Sequence, residues 1–162
     1  MLSINKEDRR IMRNQQQEDN HFFTFFPHKG MGKITFDLDE KKIKSLIGKP
    51  KAIYKQDLDN NIGYNYTISG INFTIFFHYE EEIFDYSSIH SEVIIFNNCS
   101  TKHLTKEEIL YCIKDYYDSQ HIDFYFEKTE DDIEDCYFFE AIGLTIWFEQ
   151  NNISDISMAP VF

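Results

Sequence analysis

The chain has 162 residues, of which 42% are hydrophobic and 17% aromatic. That suits one ordinary domain with a real core and excludes a disordered chain. Its 16 Lys+Arg against 28 Asp+Glu give a formal charge of −12, which argues against binding nucleic-acid phosphates or an anionic membrane surface and favours a cationic partner.

No apolar run approaches the roughly 20 residues of a membrane span. Met1 to Arg10 lacks the apolar stretch of a secretory signal. Cys99, Cys112 and Cys136 are odd in number and show no C-x-x-C spacing, so neither a disulfide framework nor a thiolate zinc site is expected, and the thiols are expected packed inside as small apolar groups. A reducing cytoplasm is the expected compartment.

Residues 1–20 are nearly all polar and are expected as an arm, with residues 21–162 as a single domain. Phe22-Phe23-Thr24-Phe25-Phe26-Pro27 is a strand-like apolar run stopped by proline. It is read either as a plug buried against the body or as a pairing surface. Leu38, Ile43, Leu46 and Ile47 recur at helical spacing among lysines, capped by Asp37 or Asp39 and ended by Gly48-Lys49-Pro50. Strand-like runs follow at 52–54, 64–68, 71–78 and 92–96, with Ser69-Gly70 as a hairpin turn. Thr105 and Glu108 form a capping-box signature ahead of the stripe Ile109, Cys112, Ile113 and Tyr116. Further strands are expected at 122–126, 136–140, 144–149 and 153–158.

The halves read as one unit written twice. Leu38, Ile43 and Ile47 match Leu104, Ile109 and Ile113. Gly70-Ile71-Asn72-Phe73 matches Gly143-Leu144-Thr145-Ile146, and Ser91-Glu92-Val93 matches Ser154-Asp155-Ile156. The expected fold class is therefore α+β. Two helix-plus-antiparallel-strand repeats, about 34–98 and 102–160, would form one curved sheet with helices on one face.

The order of helix, Leu46-Ile47-Gly48-Lys49-Pro50, aromatic strand and Gly70-Ile71-Asn72-Phe73 resembles the tandem repeats of β-lactamase-inhibitor-protein-like domains. This resemblance implies a protein that grips another protein with an open sheet face, and it implies no catalytic residues.

Alternation sorts the strand residues by face. Ile71, Phe73, Ile75 and Phe77 should face the helices, as should Leu144, Ile146 and Phe148. Phe76, His78, Trp147 and Glu149 should face outward. Exposed aromatics rimmed by carboxylates suit an interface hot spot. Glu80, Glu81 and Glu82, with Asp85, form one acidic loop, and Glu130, Asp131, Asp132, Glu134 and Asp135 another. They are a candidate landing zone for a basic partner. The candidate partner-binding set is Trp147, Phe76, His78, Glu149, Glu140, Glu80, Glu81, Asp131 and Asp132.

Asp57-Leu58-Asp59 resembles the start of a calcium loop, but Gly63 falls one place late and Ile68 occupies the twelfth position, so no calcium is expected. The six histidines lack metal-ligand spacing. No P-loop, G-x-S-x-G or G-x-G-x-x-G is present. No metal, cofactor, nucleic acid or membrane is expected, and the free chain is expected to be a monomer or weak dimer. The reading is a non-enzymatic cytoplasmic inhibitor, of the immunity-protein kind that neutralises a basic bacterial toxin such as a nuclease. A protein-binding adaptor is the alternative. A small carboxylate enzyme using Glu140 and Glu149 near His78 is a third.

Overall fold

The structure, a computed structural model, describes residues 5–7, 21–56 and 60–162. Most of the expected polar arm, and Asp57–Asp59 of the calcium-like loop, lie outside these residues. Among them, no helix is long and apolar enough to cross a membrane.

From residue 21 onward come three two-residue strands, β1 (Phe25–Phe26), β2 (Gly30–Met31) and β3 (Ile34–Thr35), which form a small antiparallel sheet. Helix α1 (Glu40–Ile47) follows. Asp39 caps it by accepting from the Lys42 N–H at 2.9 Å, and Gly48 leaves it at φ 84°, a left-handed conformation that favours glycine. Then come β4 (Ala52–Gln56), β5 (Asn61–Ile68), β6 (Ile71–Glu80) and β7 (Ile83–Ser91). A hairpin, β8 (Ile95–Phe96) and β9 (Cys99–Ser100), leads into α2 (Lys106–Ser119), whose Thr105–Glu108 capping box is formed in both directions. The chain ends in β10 (Glu127–Glu130), β11 (Glu134–Phe139), β12 (Leu144–Glu149) and β13 (Asn152–Met158).

Eight strands make one antiparallel sheet in the order β10-β11-β12-β13-β7-β6-β5-β4. The expectation of two helix-and-strand repeats is overturned by this single sheet and its two small companions. The sequence matches do not superpose. Ser91 closes β7 and pairs with Ile156, whereas Ser154 sits in the middle of β13. The helices have 8 and 14 residues. The β8–β9 hairpin straddles the supposed junction at 98–102 and is covalently bound to the second half through Cys99–Cys112. That disulfide also corrects the expectation of free, reduced thiols. Odd cysteine counts and irregular spacing say nothing about which sulfurs a fold brings within bonding distance.

One face of the sheet is dry. Phe73, Ile75, Phe77, Leu144, Ile146 and Phe148 are buried there, as alternation requires. Tyr64 donates to Glu40 at 2.6 Å and Tyr66 to the Gly48 carbonyl at 2.9 Å, which clamps α1 over β5. Burial raises the pKa of both phenols, that of Tyr66 to about 12, so they remain donors. Lys106 of α2 lies over the rings of Tyr137 and Phe148 and pairs with Asp135 at 3.2 Å. The Phe22–Phe26 run enters this same core. Phe22 and Phe23 pack on Phe73, and Phe25 packs on Phe96. It is a plug on the helix side rather than an exposed pairing surface.

Several strands depart from expectation. Residues 122–126 are not strand, because Phe124 and Phe126 turn inward onto Tyr117, Tyr137 and Phe139 as a packed crossing segment. The strand expected at 92–96 is confined to the two residues of β8, and β7 and β10 form where no strand was expected.

Candidate functional site

Backbone register assigns the residues of the opposite, open face. Phe76 pairs with Gly63 and Ser88, His78 with Tyr86, Thr74 with His90, Ser157 with His90, and Trp147 with Asp155 and Cys136. Cα partners share a face, so these side chains rise together across β5, β6, β7, β13, β12 and β11. Of these, Tyr86 meets Phe162 of the C-terminal segment edge-on, with ring centroids 5.2 Å apart.

Three rings form the centre. Phe76 meets His90 edge-on with centroids 5.0 Å apart, and His90 lies nearly parallel to Trp147 at 6.2 Å. Gly63 makes room for the first of them. A Cβ there would lie 2.9 Å from a Phe76 ring carbon, so the absence of a side chain lets the ring lie down on β5. His90 Nδ1 is 2.7 Å from a carboxylate oxygen of Asp155. A carboxylate only accepts, so Nδ1 is the donor of this contact. His78 Nε2 is 2.8 Å from the Ser88 hydroxyl, and its ring stacks on Tyr86 at 4.4 Å. Burial holds the His78 pKa below its ordinary value and the neighbouring His90 adds to this, while Asp85 pulls the other way.

The charge of this face is one-sided. By register it carries Glu80, Glu127, Glu134, Glu149 and Asp155, and no Lys or Arg among the described strand residues. Lys55 and Lys128 pair with Ile62 and Tyr137 on the helix side.

Of the residues singled out by sequence, Trp147, Phe76 and His78 come together near the centre, half-buried. Glu149 sits at the margin opposite Glu134. Glu140 does not join them. It opens a 3-10 turn after β11, at the opposite end of β12 from Glu149, so the proposed Glu140–Glu149–His78 acid/base set is not assembled. The two acidic loops are also apart. β6 and β11 run in the same direction, so Glu80, Glu81 and Glu82 lie at one end of the sheet and Asp131 and Asp132 at the other. Strand rise and spacing put them roughly 40 Å apart. Asp131 is also occupied internally. Its carboxylate accepts from the N–H groups of Ile133 (2.7 Å) and Glu134 (2.6 Å), which holds its pKa below the ordinary value and shapes the β10–β11 turn.

Sequence reasoning missed His90, Asp155, Ser88 and Tyr86. Three of the four lie on β7, whose Ser-rich stretch carries no long apolar alternation. Its entry turn, Glu81-Glu82, has positive φ at both residues (51° and 69°) without glycine or asparagine to announce it. The alternation Tyr86, Ser88, His90 against Ser87, Ile89, Ser91 was the available signal.

Among the described residues, no cluster of three or more His, Cys, Asp or Glu has the geometry to hold a metal ion. No protein-family model, curated protein or solved structure matches the chain.

Proposed function

We propose that this chain is a non-enzymatic protein inhibitor whose open sheet face engages a basic protein, in the manner of an immunity protein neutralising a cognate toxin. The supporting observation is the row Phe76–His90–Trp147 at the centre of a face whose described strand residues carry five carboxylates and no Lys or Arg. Half-buried rings held in place by neighbours offer large contact area at small entropic cost. The surrounding carboxylates attract a cationic surface and repel an acidic one. A nuclease toxin, built to attract phosphate, presents such a surface. The Cys99–Cys112 bond favours an oxidising site of action, so the expected cytoplasmic location is not carried into this reading.

The test is binding to the toxin-like domain encoded beside this chain's own coding sequence, by titration calorimetry and by assay of that domain's activity. A tight one-to-one complex with loss of activity is expected. Trp147→Ala should weaken the complex by about 2 kcal/mol, roughly 30-fold, with an unchanged circular dichroism spectrum. Binding without loss of activity would support an adaptor instead. A complex indifferent to Trp147, or no toxin-like neighbour at all, would remove the reading.

A further inference from the structure

The two outer strands of the eight-stranded sheet differ in a complementary way. The β4 edge is basic. Lys49, Lys51 and Lys55 are exposed on β4 or just before it, and Lys41, Lys42 and Lys44 are exposed on α1, the helix clamped over neighbouring β5. The β10 edge is acidic, with Glu127, Glu130, Asp131 and Asp132 exposed on or just beyond it. Its one cation, Lys128, is tied to Glu130 and lies over the Tyr137 ring. Each edge also carries apolar surface that a lone sheet edge would normally avoid. Ile53 and Tyr54 on β4 are 50% and 53% exposed, and Tyr125 and Ile133, which bracket β10, are 62% and 71% exposed.

We propose that copies of this chain associate head to tail, the β4 edge of one receiving the β10 edge of the next. Strand direction permits it without reversal. Every neighbour in the sheet is antiparallel, and β4 and β10, seven places apart in an eight-strand alternation, run in opposite directions. A second copy placed by translation and twist therefore presents its β10 antiparallel to β4, and the sheet continues unbroken. The outward backbone groups of both edge strands gain partners, Lys55 and Glu130 share the helix side of the continued sheet, and the exposed Ile53 and Tyr54 come beside the next copy's β10 edge. A two-fold β4–β4 or β10–β10 pairing would instead set like charges together. The contact is heterologous, so it does not close at two copies. It involves four or five residues per strand and lies in the weak, transient class. The ring-bearing face stays free, so this association is independent of the inhibitor reading.

Sedimentation velocity on the full chain from ~10 μM to ~1 mM covers the range of so small a contact. The weight-average sedimentation coefficient is expected to rise continuously with concentration, without a plateau at dimer. Lys51→Glu with Lys55→Glu, and separately Glu127→Lys with Glu130→Lys, should each abolish the rise while keeping the wild-type circular dichroism spectrum. Mixing the two variants one-to-one should restore association, because each then meets an edge of opposite charge. A wild-type chain that stays monomeric throughout overturns the proposal. So does a dimer plateau that survives Glu127→Lys with Glu130→Lys, which would mean two-fold pairing through β4. Failure of the mixture to recover would overturn the charge-matched pairing.

Discussion

His78 has the depressed pKa of a group that folding keeps neutral, chiefly through burial and secondarily through His90. In the unfolded chain it regains an ordinary pKa near 6.5. Just below that pH the unfolded state therefore binds more protons than the folded one. Stability then rises with pH through this window and is lost as pH falls. Urea midpoints taken between pH 7.5 and 5.5 should decline on the acid side, and His78→Gln, which keeps a polar contact to Ser88 but cannot titrate, should flatten that slope. An unchanged slope would place the acid sensitivity elsewhere. Phe76 shows the same residue-scale logic in packing. Its ring position is set by what Gly63 lacks, a dependence invisible until β5 and β6 are paired.

The β8–β9 hairpin is short, and two strands of two residues cannot stand alone in water. It is held from several sides. The Asn97 side chain donates to the Cys112 carbonyl and to Asp115, Phe96 packs on Tyr116, and the Cys99–Cys112 bond closes the loop. With a sequence separation of 13, that cross-link restricts the unfolded chain by about 3 kcal/mol in the loop-entropy account. Cys99→Ser with Cys112→Ser should lower the unfolding free energy by about 2–3 kcal/mol in urea titrations. Reductant should reproduce the loss in the wild type and leave the double variant unaffected. The helices, in contrast, were legible one by one. The Thr105–Glu108 box formed where the sequence placed it, and of the two candidates Asp37 and Asp39 it is Asp39 that caps α1. The strands were legible where alternation was strong, as in β6 and β12. They were not where polar residues filled both faces, as in β7, or where an aromatic pair belonged to a crossing segment, as at Phe124 and Phe126.

At the scale of the molecule, a net charge of −12 does not describe the surface a partner meets. The two acidic loops lie at opposite ends of the sheet, and six of the thirteen lysines lie on α1 and along β4. Sites roughly 40 Å apart act independently. Replacing Glu80, Glu81 and Glu82 by Gln, and separately Asp132 by Asn, should therefore slow association with the proposed basic partner additively in stopped-flow measurements. A combined variant departing strongly from additivity would mean that one compact patch, not two ends, does the steering. The sequence by itself determined the helix caps, the alternation that splits β6 and β12 into dry and open faces, and the outward placement of Trp147 and Phe76. These depend on contacts within a few residues along the chain. Only the tertiary structure decided that the strands join into one sheet rather than two repeats, that Cys99 reaches Cys112, and that His90 and Asp155 meet between the aromatic rings. Each of those is a pairing between segments far apart in the chain, and strand order, which local pattern does not encode, chooses the partners.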